Sequence, residues 1–175
     1  MEKKTINDKE PTFIQAINIS KQWCKDWDDN FLSDEVLADR ISELIRTKEG
    51  IRGFFAYSLS DTNCTIIDKL PTSLIFKFRE QGENVVVITI KNLIMSSAQV
   101  INHQRDKKED YEMVSKNISD RCINLLKVLD TKLVSKQMNF FIKNLDTMSN
   151  SIGQSMLYDE RQKEYILEKI NEITR

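Results

Sequence analysis

The sequence predicts an all-α fold, a compact bundle of about six or seven helices around one long central helix. Its 175 residues contain only four glycines and two prolines, whereas the tight turns of β proteins consume many of both. Apolar residues recur at three- and four-residue steps along most of the chain, which is the spacing of a helix face. Residues 1–10 are polar and charged and are expected to form a disordered arm, which leaves 11–175 as a single helical domain.

The first two helices are predicted from their start and stop signals. A helix is expected over 11–28, with Pro11 in its first turn, where the missing amide hydrogen costs nothing. A second is expected over 34–48, because Ser33 is a favourable N-cap. Gly50 is interpreted as the residue that stops this second helix.

Two stretches decide the fold class. Residues 51–60 are apolar on both alternating faces, which suits a buried strand or a buried short helix. Val85 to Ile90 has strand propensity, yet helical spacing continues over 84–104 without glycine or proline. A strand of that length is unusual, so we predict one long central helix. The alternative is a short β-hairpin that pairs 51–60 with 84–90.

The other helices follow from caps and spacing. A short helix is expected to begin at Pro71 and end at Gly82, and another to span 110–129. Asp130 and Asp159 are predicted to cap the last two helices. The small polar residues 149–153 are interpreted as the link between those two helices.

Composition excludes several classes of function. The net charge is −1 with both signs interspersed, so no nucleic-acid partner is predicted. The first residues lack an apolar segment and the run Val85–Ile90 is too short for a bilayer, which predicts a soluble, cytoplasmic protein with no membrane span. Cys24, Cys64 and Cys122 are far apart in sequence and are interpreted as free thiols in a reducing compartment.

No catalytic constellation, metal site or cofactor is predicted. The segment 26–30 is similar to the start of a calcium loop, but Phe31 and Leu37 stand where that loop needs Gly and Glu. His103, the only histidine, is interpreted as a cation near a helix C-terminus, with a base or a pH switch as the alternative. The sequence therefore favours a protein that is not an enzyme, although it leaves the question open.

Two segments are candidate binding surfaces. Arg52, Phe54, Phe55 and Tyr57 combine aromatic rings with a guanidinium, as interface hot spots often do. The alternative for the two phenylalanines is core packing, and Arg52 is also a candidate to cap the carbonyls of the second helix.

The second candidate surface is a polar notch on the central helix. It comprises the segment 91–98, which contains the small residues 96–98, and the charged stretch after it, and its proposed binding residues are Asn92, Ser96, His103 and Arg105. A buried serine there can bond the carbonyl four residues earlier. The alternative is that the small side chains allow another helix to pack closely.

The segments Gly50–Leu59 and Lys91–Ala98, followed by His103, resemble a family of small uncharacterised cyanobacterial proteins. The resemblance covers about residues 34–173. It implies a cytoplasmic protein of a photosynthetic cell, and it implies no activity, cofactor or catalytic residue.

The function predicted from these observations is that of a non-enzymatic interaction or regulatory protein. It would act through a helical surface on a protein partner or on a second copy of itself. The alternative is a protein that binds a small apolar or tetrapyrrole-like ligand in a pocket between helices.

Overall fold

The structure is a computed structural model that describes residues 10–147 and 157–173. This part of the chain forms eight α-helices and no strand. The helices are α1 (Phe13–Asp28), α2 (Asp34–Leu44), α3 (Lys48–Ser60), α4 (Thr72–Gln81), α5 (Glu83–Arg105), α6 (Glu109–Val128), α7 (Thr131–Lys143) and α8 (Glu160–Asn171). The predicted all-α fold is confirmed, although the count of six or seven helices is too low. The link at 149–153 and residues 1–9 of the predicted arm lie outside the described residues.

The alternative of a β-hairpin is wrong, because both stretches are helical. Residues 51–60 belong to α3, and 84–90 belong to the first two turns of α5. Val85, Val86 and Ile90 are buried against other helices, so tertiary burial outweighs the strand propensity of the β-branched run. The hydroxyl of Thr89 donates to the Val85 carbonyl at 2.7 Å and is thereby satisfied within the helix.

The prediction that one helix spans 34–48 and stops at Gly50 is wrong. α2 ends at Leu44, and Thr47 caps α3 by accepting the Gly50 amide hydrogen at 3.0 Å. A Cβ atom at Gly50 would lie 1.9 Å from the Leu44 carbonyl oxygen. Gly50 therefore permits α2 and α3 to meet at a tight junction. Because Gly50 lies inside α3 and does not end α2, the chain has one more helix here than predicted.

The other predicted helix ends agree closely with the structure. Pro71 is the N-cap of α4, and Gly82, whose φ is +57°, separates α4 from α5. Asp130 and Asp159 cap α7 and α8 through their side chains, as predicted. α1 begins one residue after Thr12, which is its N-cap, so Pro11 lies outside the helix.

α5 is the central element of the packing, since it contacts α3, α4, α6, α7 and α8. α1 packs on α3 and α2 packs on α4, and the rings of Phe54, Phe55 and Phe78 join the core where these layers meet. Gly53 allows α1 and α3 to approach closely, because a Cβ atom there would lie 2.5 Å from the Cβ atom of Ala16.

Among the described residues, α5 is one helix that is long and apolar enough to cross a membrane by length and composition. Of the residues in its most apolar window 61% are buried inside the protein, as expected for a core helix.

Candidate functional site

An open groove of about 840 Å³ lies between α3 and α5, with further walls from the start of α1 and the end of α2. We refer to it as the α3–α5 groove. Its apolar lining consists of Phe13, Ile45, Ile51, Ala56, Val87, Ile88, Ile94, Met95 and Tyr158. Its polar lining consists of Arg46, Thr47, Lys48, Arg52, Asn84, Lys91 and Asn92.

The floor of the groove is an apolar strip on α5. Val87, Ile88 and Met95 are only half-buried, although they lie on α5, the central helix of the packing. Steps of three and four residues place Lys91 between them on the same face. The strip therefore offers apolar surface that the described part of the chain leaves partly uncovered.

The charge of the groove is entirely positive among its described lining residues. Two of its four cations are arginines that are balanced one turn away, Arg46 by Glu43 and Arg52 by Glu49, each at 2.9 Å. The Arg52 guanidinium also lies 5.1 Å from the centre of the Phe13 ring. It does not cap the carbonyls of α2.

Lys48 and Lys91 differ from these arginines. Both are exposed, and neither has an ion pair or a side-chain hydrogen bond with the described residues. The groove thus combines uncovered apolar surface with two positive charges that the protein itself does not neutralise.

The structure brings together only some of the residues that the sequence singled out. Arg52 and Asn92 both line the groove, from α3 and α5 respectively. Asn92 donates its amide to the Ile88 carbonyl at 2.8 Å, which holds the side chain against the helix. Phe54 and Phe55 are fully buried and meet edge to face at 5.1 Å, so core packing, the alternative, describes them.

Tyr57 lies in a buried cluster with two thiols, away from the groove. The Cys64 side chain takes part in hydrogen bonding with Cys24 and with Tyr57. The Cys24 bond is the main cause that lowers the pKa of Cys64, and it raises the pKa of Cys24. All three cysteines are free and buried.

The notch predicted at residues 92–105 is divided among three environments. Ser96 is buried at the α5–α6 contact, where its hydroxyl meets that of Ser119 at 2.8 Å, and close helix packing accounts for it. The His103 ring is partly buried, 5.6 Å from the Tyr111 ring. Of the four notch residues, only Asn92 lines the groove.

Arg105 joins α5 to the start of α8. It donates two hydrogen bonds to Asp159, at 2.6 and 3.1 Å, while Asp159 also accepts the Gln162 amide hydrogen. The Arg105 bonds are the main cause that lowers the pKa of Asp159 to about 2. This pair is a structural connection between helices.

Arg121 of α6 connects helices as Arg105 does, and no sequence pattern singled it out. Its guanidinium donates to the carbonyls of Ser58, Leu59, Asp61 and Cys64 and binds both carboxylate oxygens of Asp68. We call this arrangement the Arg121 clasp. It satisfies the carbonyls at the C-terminus of α3, some 60 residues earlier in the chain, and no local sequence signal connects the two places.

A smaller cavity of about 290 Å³ adjoins the Arg121 clasp. Its one cation already donates from every guanidinium nitrogen to groups of the protein. The groove is therefore the stronger candidate site, since there cations without partners among the described residues lie beside partly uncovered apolar side chains.

Neither the curated proteins nor the solved structures include a match to this chain. The sequence profile of one family matches residues 12–173, which include all eight helices and the whole groove. The chain therefore belongs to the family described as uncharacterised conserved protein UCP020893.

Proposed function

We propose that this is a non-enzymatic binding protein that acts through a helical surface, the α3–α5 groove. The observation that carries the proposal is the combination of half-buried apolar side chains on α5 with the unpaired cations Lys48 and Lys91. Apolar surface and unpaired charge both gain free energy when a complementary molecule covers them.

A small molecule with an apolar part is the occupant that the groove supports best. Its volume of about 840 Å³ lies within the range of about 300–1,000 Å³ that is typical of small-molecule sites. Nine of its sixteen lining residues are apolar, and the polar side chains among them can orient a ligand. A tetrapyrrole-like ligand remains one member of this class.

The test uses the neutral apolar dye Nile red and a variant that fills the groove. Ala56 lies on the groove wall of α3, so Ala56→Phe would occupy space that the dye needs. We expect the wild type to enhance the dye's fluorescence and this variant to bind it about tenfold more weakly. The matched control is Asn139→Phe on the exposed face of α7. No binding by the folded wild type, or equal loss in both variants, would contradict the proposal.

A protein partner or self-association is the second candidate, and exposed aromatic rings favour it. Phe31, Phe76 and Phe140 have exposed fractions of 79%, 58% and 59%. Large exposed rings are typical of surfaces that bind another protein. Light scattering across a hundredfold range of concentration tests self-association, and a mass that stays monomeric throughout would count against it.

Location and origin also remain proposals. We propose a cytoplasmic protein and a cyanobacterial source, on the basis of the resemblance of the segments 50–59 and 91–98. A fluorescent fusion that accumulates at the membrane would contradict the first proposal. A family whose members occur mainly outside cyanobacteria would contradict the second.

A further inference from the structure

We infer that the α3–α5 groove selects amphipathic anions, small molecules with an apolar chain and a carboxylate head group that is held at Lys48 and Lys91. This inference rests on the proposed function and names the class of ligand. Three features of the groove carry it: the sign of its charge, the absence of internal partners for that charge, and the position of one cation within the apolar strip.

The positive charge of the groove differs from the net charge of the whole chain. The whole chain has a net charge of −1, so a random lining of this size would contain acidic residues too. The described lining instead contains four cations and no Asp or Glu. A concave site of one sign on low-dielectric walls raises the local concentration of ions of the opposite sign.

The charge available to a ligand belongs to the two lysines. Glu43 and Glu49 already neutralise the two arginines. Among the described lysines some pair with acids, as Lys77 does with Asp39 and Lys163 with Asp146, and others, such as Lys127, do not. Lys48 and Lys91 also lack an acidic partner among the described residues, but unlike Lys127 they line a groove beside apolar side chains, where a ligand can neutralise them.

The apolar strip indicates that the anion carries a chain. Lys91 lies between Ile88 and Met95 on one face of α5, so a head group bound to it has apolar surface on both sides along the helix. An inorganic anion would leave that strip uncovered, and a neutral apolar molecule would leave both cations unpaired. Only a molecule with both parts satisfies the whole lining.

The test compares two ligands with the same chain, dodecanoate and dodecan-1-ol, in displacement of Nile red at pH 7 and below micelle formation. We expect dodecanoate to bind about tenfold more tightly than the alcohol, since its carboxylate can accept charge-assisted hydrogen bonds from the two lysines. Added salt should weaken the binding of the carboxylate and leave that of the alcohol unchanged. Dodecylamine, which is cationic, should bind more weakly than either.

Variants assign the effect to the two lysines. In the double variant Lys48→Met with Lys91→Met, we expect dodecanoate binding to fall to the level of the alcohol, whose own affinity stays within about twofold. Lys48→Arg with Lys91→Arg should retain the preference for the carboxylate. The control is Lys127→Met on α6, an exposed lysine without a partner in the described structure that lies outside the groove.

The outcomes separate this inference from the proposed function. If Nile red binds in the groove but the two chains bind equally, or the amine binds best, the inference is overturned while the proposed function stands. If Nile red does not bind at all, both are overturned. If a carboxylate preference persists in the double Met variant, the assignment to Lys48 and Lys91 is overturned.

Discussion

The Arg121 clasp and the α3–α5 groove are two places where cations meet the same helix, α3, with opposite results. In the clasp, Arg121 is 12% exposed and all its nitrogens donate to carbonyls or to Asp68. In the groove, Lys48 and Lys91 are exposed and have no partner among the described residues. The role of a cation therefore depends on whether its N–H groups already donate hydrogen bonds within the protein. The first cation stabilises the chain, and the other two are available to a ligand.

The largest effect is expected for Arg121→Met, which removes the clasp while keeping much of the side-chain volume. Four backbone carbonyls and the Asp68 carboxylate would lose their donor, so we expect the free energy of unfolding to fall by about 3 kcal/mol. Urea denaturation followed by far-UV circular dichroism measures this change, with Lys127→Met as control. A loss below about 1 kcal/mol would contradict a stabilising role for Arg121, since the clasp would then contribute no more than an ordinary surface ion pair.

A second large effect is expected for Gly53→Ala, which affects the wall that supports the groove. The added Cβ atom would lie 2.5 Å from the Ala16 Cβ atom and 2.9 Å from the Phe13 carbonyl oxygen, so α1 must move away from α3. Overpacking costs up to about 3 kcal/mol and the better helix propensity of alanine returns about 1, which leaves a net loss of about 2 kcal/mol.

The Gly53→Ala variant should also change the groove, because Phe13 on α1 lines it. We expect weaker Nile red binding by folded protein, in contrast to Arg121→Met, whose site lies elsewhere. Asn139→Ala serves as control, since Asn139 lies on the exposed face of α7 and outside the groove. Equal dye binding by Gly53→Ala and the wild type would show that the wall tolerates the shift.

A smaller, pH-dependent effect is expected for Asp159→Asn, because asparagine keeps the cap but loses the charge that binds Arg105. The pKa of Asp159 is about 2 in the folded protein, below its ordinary value of 3.8. The charge therefore stabilises the fold above about pH 4, and this contribution disappears as the pH falls from about 4 towards 2.

We expect the wild type to exceed Asp159→Asn by about 1 kcal/mol at pH 7, a value reduced by screening because the two side chains are 47% and 45% exposed. Urea denaturation at several pH values between 7 and 2.5 measures the difference. The pair is intermediate between the clasp and the groove, as it is satisfied by the chain but open to solvent. A difference that does not change with pH would mean that its charge contributes nothing.

Sequence alone predicted the helices well where signals are local. Ser33, Asp130 and Asp159 each precede the segment they cap, and helical spacing outweighed strand propensity over 84–104. It failed at the α2–α3 junction because Gly50 can stop a helix or allow a close approach, and only the position of Leu44 distinguishes the two.

The candidate site was predicted less completely, because it depends on contacts between distant segments. Arg52 and Asn92 were identified, but Lys48 was assigned to the wrong helix and was not considered. Nothing in a sequence distinguishes Lys48, Lys91 and Arg121 by the partners they find. Arg121 reaches carbonyls about 60 residues away, whereas each groove arginine finds its acid within one turn.

The smallest effect on stability is expected for Lys48→Met and Lys91→Met. These variants test directly whether the groove lysines, unlike Arg121, contribute nothing to the fold. Neither lysine has a partner among residues 10–147 and 157–173, and each substitution removes a positive charge from a groove that already contains others. The free energy of unfolding should therefore change by no more than about 0.5 kcal/mol, or rise slightly as repulsion is relieved.

The same urea denaturation measures these variants, with Arg121→Met as the contrasting case. A residue kept by a protein for its fold should cost stability when it is replaced, and one kept for a ligand should not. If either lysine variant loses more than about 1 kcal/mol in the free energy of unfolding, that lysine stabilises the fold as Arg121 does, and its assignment to ligand binding is contradicted. If stability is unchanged while the preference for dodecanoate is lost, the two lysines bind the ligand and do not stabilise the fold.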